Sequence, residues 1–384
     1  MAKLENNQMK VLMMGSVYPR FQEDSEVPWM RETVKRLVDS GVEVELLVPS
    51  WKGLSTHEID GVKIHRFRYA PAAWEFLTHD EGAPSKLARN PLFQLLAVPY
   101  MIMGALVLLR LQYTQKYDLL HVHWPFPHGL MAFPTQCIFK VPVLLNFHGA
   151  SLLLQRKFSF VRPCLNFVLK KSPCILANSS FTRDKIIEIR DVDVTISPYG
   201  STLEDKRNPS SVSPMSSIIG ESPFKVLFVG RHIERKGIEY LIQAFQLLAN
   251  SRPDLVDHFQ LDIVGGGEST QKLKLLAAET PDLPIQFPGK VSTEELSDYY
   301  EAADLFVLPA IVDSKGDTEG LGVVLVEAIQ SDTAIIASRV GGIIDVVIHE
   351  ETGLLVPEKD PHALCEAMLR IYTDKDLKVK VIHQ

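Results

Sequence analysis

The sequence predicts an α/β protein built from two successive doubly wound, Rossmann-like domains. Three observations predict it. Short aliphatic runs alternate with helix-length segments along most of the chain, as parallel strands covered on both faces do. The alternation breaks once, at 200–223 (GSTLEDKRNPSSVSPMSSIIGESP), which is rich in serine and proline and has no periodicity, and then restarts. The chain has 384 residues, 46% of them hydrophobic, which suits two or three domains and excludes a largely disordered protein. Domains are therefore expected at 1–199 and 224–384, with 200–223 as linker.

In the first domain the expected strands are KVLMMGS (10–16), VEVELLVP (42–49), DLLHVHW (118–124), PVLLNFHG (142–149) and CILANS (174–179). A helix with Val34, Leu37 and Val38 on one side ends at Gly41, a residue suited to a helix C-terminus. Residues 92–109, LFQLLAVPYMIMGALVLL, carry no charge and approach the length of a membrane span. The strand that follows at once favours a helix packed on the sheet, entered after Pro91 and bent at Pro99. The same segment is the candidate for peripheral membrane contact. In the second domain the expected strands are FKVLFVG (224–230), FQLDIVGGG (259–267), PIQFPGK (284–290), LFVLPA (305–310), TAIIASR (333–339) and GLLVP (353–357). Sheets of this kind bind ligands at the C-terminal ends of their strands, and two of them joined by a linker form a cleft.

Composition narrows the function. A net charge of −7 argues against a nucleic-acid partner. Cys137, Cys164, Cys174 and Cys365 have no paired metal spacing and read as buried thiols of a reducing compartment. The N-terminus MAKLENNQMKVLMMGS lacks a signal-peptide layout, so the expected location is cytoplasmic.

Two loops carry the candidate chemistry. GRHIERKG (230–237) joins a strand to the helix IEYLIQAFQLLAN. It offers Gly230 as a turn, Arg231 as a planar fork, Lys236 as a compact charge, and a helix N-terminus, a set that suits a diphosphate. A solvated charged loop fits the same residues, since Glu234 and Arg235 share the run. The second loop, IVDSKGDTEGLG, leads into the helix VVLVEAIQ. Gly320 and Gly322 let backbone approach a ligand closely. Glu319 is expected at the rim and Glu327 in the second helical turn, a pair able to grip two polyols; a capping Glu and a surface Glu fit equally.

Taken together, GRHIERKG, FVLPA, EGLGVVLVEA, IIASRVGGIIDVV and TGLLVP resemble, in order, the donor domain of the GT-B glycosyltransferases, specifically the retaining group 1 enzymes of family 4. The resemblance covers most of 224–372. More loosely, VLMMGSVYPR, SGVEVELLVP, DLLHVHWPFPHGL, LLNFHG and ANSSFTRD resemble the acceptor half. It implies a hexosyl transfer from a nucleoside diphosphate sugar to a hydroxyl of a glycan, a lipid-linked acceptor or a small molecule, as in polysaccharide biosynthesis. Glu319 then matches the glutamate on donor-sugar hydroxyls and Glu327 the one on ribose. Arg231 and Lys236 match the basic pair on the diphosphate, Gly320, Leu321 and Gly322 the backbone against sugar and phosphate, and His148 a histidine facing the donor sugar. The favoured family route has the acceptor attack from the leaving-group face, with a phosphate oxygen taking its proton. No cofactor or metal is implied, because the basic set stabilises the leaving group.

His121, His123, His128 and His148 invite a metal reading, but no carboxylate stands at ligand spacing and no His-Glu-x-x-His occurs. The sequence departs from the family pattern at the first glycine turn, where Gly15 stands alone, and at Ser331-Asp332-Thr333. It also ends at KVKVIHQ, where the family carries a last crossover helix. Alternative readings are a catalytically weak nucleotide-sugar-binding protein and a GT-B sugar-nucleotide epimerase.

Overall fold

The computed structural model describes residues 8–24, 26–79, 86, 93–203, 223–280 and 283–383. It divides into two compact units, Met1–Gly200 and Ser201–Gln384. Residues 204–222 of the expected linker lie outside the described residues.

The first unit carries strands β1 (Lys10–Met14), β2 (Glu43–Pro49), β3 (His57–Ile59), β4 (Val62–Phe67), β5 (Leu119–His123), β6 (Val143–Phe147), β7 (Cys174–Ala177) and β8 (Thr195–Ile196). Their order in the sheet is β3-β4-β2-β1-β5-β6-β7-β8, parallel throughout except for β3 against β4. Between them run helices α1 (Pro28–Asp39), α2 (Gln94–Gln115), α3 (Pro125–Phe139), α4 (Ala150–Lys157), α5 (Val161–Lys171) and α6 (Ser180–Ile187). The period-2 alternation of each strand splits the core. Leu12, Met14, Leu47, Leu120 and Val122 face one helical layer, whose buried residues include Leu108, Met131 and Leu165. Val11, Met13, Val44, Leu46 and Val48 pack with Met30 and Val34 of α1 on the other face.

The second unit carries β9 (Phe224–Arg231), β10 (Phe259–Gly266), β11 (Ile285–Gly289), β12 (Leu305–Leu308), β13 (Ala334–Ser338) and β14 (Leu354–Val356). The sheet order is β11-β10-β9-β12-β13-β14, all parallel. The helices are α7 (Ile238–Ser251), α8 (Thr270–Ala278), α9 (Thr293–Ala302), α10 (Val323–Gln330), α11 (Pro361–Thr373) and α12 (Lys375–His383). Local chemistry sets several starts. Ser292 and Glu295 form a reciprocal capping box at α9, and Asp360 with Pro361 starts α11. Two sheets with a reversal of strand order beside the first strand of each give the doubly wound architecture the sequence predicted.

Four expectations change. The helix spans Gln94–Gln115 and runs on through Pro99, past the expected end at 109; Pro91 lies outside the described residues. Its inner side packs on the sheet as expected, but its outer side is apolar and exposed. In α1, Met30 and Val34 are buried and Val38 is exposed, because the face that meets the sheet is one turn nearer the N-terminus. Of the cysteines, Cys365 is buried whereas Cys137 and Cys174 are exposed. The hairpin β3–β4, unpredicted, turns at Asp60-Gly61, both with positive φ.

Candidate functional site

In the second unit, three strand-end loops lock together. A single 3-10 turn, Glu234–Lys236, follows β9, and Gly237 at φ 63° opens α7. A Cβ on Gly237 would lie 1.9 Å from the carbonyl oxygen of Pro309, just past β12, so a side chain there forces the loops apart. The Ile311 N–H donates to the Arg235 carbonyl at 2.9 Å. From the other flank, the Gly342 N–H donates to the Glu319 carbonyl at 3.0 Å, and a Cβ on Gly341 would come within 2.0 Å of that oxygen. The backbone at Glu319 is thereby fixed by the loop after β13 while its side chain meets the loop after β9.

That meeting is an ion pair. Lys236 Nζ donates to Glu319 Oε2 at 2.5 Å, with the side chains only 10% and 12% exposed. Arg235 donates to the Thr318 carbonyl at 3.0 Å and approaches Asp317 at 3.6 Å and Glu319 at 4.0 Å. Burial alone would raise the Glu319 carboxyl. The charges of Lys236 and Arg235, the Lys236 hydrogen bond and the charge of Arg231 outweigh it and hold the group at about 2. Burial lowers the Lys236 ammonium, and Glu319 opposes that shift. Glu319, expected at the rim, is thus drawn inward by its counter-charge.

Arg231 is exposed at the end of β9, and the guanidinium packed beside Lys236 and Glu319 belongs to Arg235. Gly230 pairs with Gly265 so closely that a Cβ on the latter would lie 2.0 Å from the Gly230 carbonyl. Gly320 is partly exposed, Leu321 is buried, and Gly322 caps α10.

Glu327 sits in the second turn of α10 and is 4% exposed. Tyr300 donates its hydroxyl to Glu327 Oε2 at 3.0 Å, and Thr202 donates to Oε1. Burial raises this carboxyl, against the pull of those two hydrogen bonds. Thr333, in the variant turn, donates to the Tyr300 carbonyl at 3.1 Å and so steadies the tyrosine behind Glu327.

In the first unit the strand ends are filled with rings. His148 follows β6. Its Nε2 shares a hydrogen bond with His123 Nδ1 at 2.8 Å, the two rings stack 5.0 Å apart, and Nδ1 bonds the Tyr199 hydroxyl. Trp29 lies 4.4 Å from the Tyr199 ring and 4.7 Å from His148, and Trp124 lies 5.1 Å from His148. The Trp124 ring closes against the lone Gly15, where a Cβ would lie 3.2 Å from it. The His121 ring lies 4.3 Å from that of His123 and is tilted against it. Loss of water inside this packing lowers His148 to about 3 and His121 and His128 to about 4. His128 is a satisfied core residue, donating from Nδ1 to the His123 carbonyl and accepting from Tyr100.

The sequence profile of the Glycosyl transferases group 1 matches residues 214–384, and that of Glycosyltransferase Family 4 matches 29–205. The chain belongs to the group 1, family 4 type of glycosyltransferases. This glycosyltransferase is 26% identical to a D-inositol 3-phosphate glycosyltransferase of Pseudarthrobacter chlorophenolicus, across 91% of this chain and 82% of that one. Over a shorter span, 42% of this chain and 41% of the other, it is 33% identical to a GDP-mannose-dependent phosphatidylinositol monomannoside mannosyltransferase of Mycobacterium tuberculosis. In fold it is similar to sucrose-phosphate synthase from Thermosynechococcus elongatus, with a TM-score of 0.72 and 19% identity over 98% of this chain and 92% of that one. It is also similar to Anabaena HepE in complex with UDP-glucose, with a TM-score of 0.66 and 16% identity over 98% and 93%. The fold of the glycosyltransferase is GT-B.

Sequence reasoning missed several residues now at these sites. Arg235 reads as part of a charged run, although it stands only one residue further from the helix start than Lys236. Tyr300, Thr202, Trp29 and Tyr199 arrive from distant segments, and nothing local marks them.

Proposed function

We propose that this glycosyltransferase is a retaining hexosyltransferase that moves a sugar from a nucleoside diphosphate sugar to a hydroxyl acceptor without a metal ion. The observation that carries the reading is the buried Lys236–Glu319 pair, flanked by Arg235 and reached by the charge of Arg231. Lys236 is the group on which a diphosphate and Glu319 converge. A diphosphate that engages Lys236 and Arg231 leaves the Glu319 carboxylate to accept hydrogen bonds from sugar hydroxyls. As the glycosidic bond breaks, negative charge grows on the diphosphate and these fixed cations stabilise it. Glu327, positioned by Tyr300, accepts from ribose hydroxyls. His148, held neutral, contributes hydrogen bonds and no charge. The UDP-glucose bound to HepE supports a nucleotide-sugar donor.

The test is a panel of nucleoside diphosphate sugars screened by ligand-induced melting shifts, followed by turnover in EDTA and NMR of the product anomer. Stabilisation by at least one donor, turnover that survives chelation, and an unchanged anomeric configuration are expected. No shift with any nucleoside diphosphate or its sugar overturns the reading. Turnover restored only by added divalent metal overturns its metal-free part.

A further inference from the structure

The helical layer over α2, α3 and α5 has an unusual outer surface. Along α2 the buried residues Leu96, Tyr100, Gly104, Leu108 and Gln112 recur every four positions and face inward. Gly104 faces α3, where a Cβ would fall 1.8 Å from Met131 Cε and displace the end of that side chain. The opposite stripe of a surface helix is ordinarily polar. Here it reads Leu95, Val98, Ile102 and Leu106, each at least 53% exposed. The apolar surface continues with Ile138 on α3 and Phe160 and Phe167 beside and on α5, exposed by 64%, 57% and 36%. Phe133 of α3 packs edge-on to Phe167, which ties the two helices into one surface.

Charge is distributed with the same bias. From Phe93 to Thr182 the sole carboxylate is Asp118, against eight lysines and arginines, in a chain whose net charge is −7. Arg110, Lys116, Lys140, Arg162, Lys170 and Lys171 are exposed on or at the ends of these three helices. Arg162 donates to the Glu188 carbonyl, and the other five form no ion pair among the described residues.

We propose that the face built by α2, α3 and α5 docks on an anionic lipid bilayer. An exposed apolar stripe bordered by basic side chains, here gathered mainly at the C-terminal ends of the helices, is what an interfacial helix needs to bury itself at the headgroup boundary beside acidic lipids. Spanning is excluded as the mode, because α2 would have to withdraw Tyr100 and Leu108 from the core. A second copy of the same face is a poor occupant, since its charges have the same sign. The contact requires nothing of the sugar-transfer reading.

Co-sedimentation of the full chain with vesicles tests this. Vesicles of phosphatidylcholine containing about one-third phosphatidylglycerol should pellet the chain, phosphatidylcholine alone far less, and added salt should release it. Lys140→Glu/Lys170→Glu/Lys171→Glu should lower partition at least about a hundredfold, at roughly fivefold per lysine lost. Val98→Gln/Ile102→Gln/Leu106→Gln should lower it at least about tenfold. Circular dichroism checks folding, and the charge variant alone decides if the apolar variant unfolds. Equal partition to both vesicles, or none to either, overturns the proposal. So does self-association in sedimentation velocity that the apolar variant abolishes while vesicles leave the wild type in solution.

Discussion

The strand ends of the two sheets solve the same problem with opposite materials. In the first unit the space is filled by neutral rings: His123 and His148 share a hydrogen bond, Trp29, Trp124 and Tyr199 surround them, and loss of water keeps the imidazoles uncharged. In the second unit it is filled by opposed full charges, Lys236 and Glu319, held by backbone contacts from three loops. Removing water works against charge in the first case. In the second it strengthens the attraction between charges already paired. The two ends should therefore fail under different insults.

The largest effect is expected where the charges are broken. Lys236→Met leaves Glu319 buried without its partner, a change that costs about 3–5 kcal/mol of stability. It should also lower turnover by about 10²–10³, the usual loss of a fixed group on developing charge. Adding Glu319→Gln should recover much of the melting temperature and none of the turnover. Denaturation and steady-state kinetics on both variants check this. A stable, active Lys236→Met single variant would mean that the pair is a surface ornament.

Acid should act on the other end. The folded pKa of His148, His121 and His128 lies below the ordinary value of 6.5, so the folded state holds fewer protons than the unfolded one. Their stabilising contribution is complete above about pH 6.5 and is lost as pH falls towards 4. His123, also lowered by burial and by the neighbouring imidazoles, adds to the loss in the same direction. Glu319 is lowered as an acid, so its contribution persists until pH falls below about 4.5 towards 2. The four tryptophans, Trp29, Trp51, Trp74 and Trp124, all lie in the first unit, so their fluorescence reports on that unit alone. Its denaturation midpoint should fall between pH 7 and 5.5. A flat midpoint would remove the neutral-ring account.

Within the charged end the two glutamates should separate. Glu327→Ala should weaken bare nucleoside diphosphate and full donor alike, by about 10–100-fold for a lost charge-assisted contact. Glu319→Ala should leave the bare nucleotide nearly unaffected and reduce donor affinity or turnover. Calorimetry with both ligands decides. Equal weakening of the bare nucleotide by the two substitutions would assign them one role.

Much of this was legible in the chain before folding. The aliphatic runs mark the strands because period and length are local properties. Lys236, Glu319 and Glu327 stand out because each is bound to a glycine turn or helix start in sequence. The hairpin at Asp60-Gly61 was written in its turn residues and overlooked, since HEI and VKIHRF are polar for strands. The partners were not legible. Arg235 beside Lys236, Tyr300 behind Glu327 and Tyr199 against His148 are set by strand order, and no spacing along the chain encodes that order.

The smallest expected effects offer the finest comparison, because each end holds a tyrosine hydroxyl. Tyr300 donates to the Glu327 carboxyl, and Tyr199 bonds the neutral His148 ring. A hydrogen bond to a charged group is worth about 1.5–3 kcal/mol and one between neutral groups about 0.5–1.5. Tyr300→Phe should thus cost more stability than Tyr199→Phe, even though both keep the ring. The raised carboxyl of Glu327 adds a pH signature. The fraction ionised grows as pH rises above its ordinary value of 4.5, so the Tyr300→Phe penalty should grow with it. The Tyr199→Phe penalty should stay flat between pH 5.5 and 7.5, because His148, held at about 3 by burial, stays neutral in the fold across that range. Stacking of Trp29 on the residue 199 ring survives the substitution, which keeps the fluorescence readout. Urea midpoints at pH 5.5 and 7.5, read by fluorescence for Tyr199→Phe and by far-UV circular dichroism for Tyr300→Phe, measure all four values. Equal penalties at both pH values would show that the ends differ in composition without differing in electrostatics.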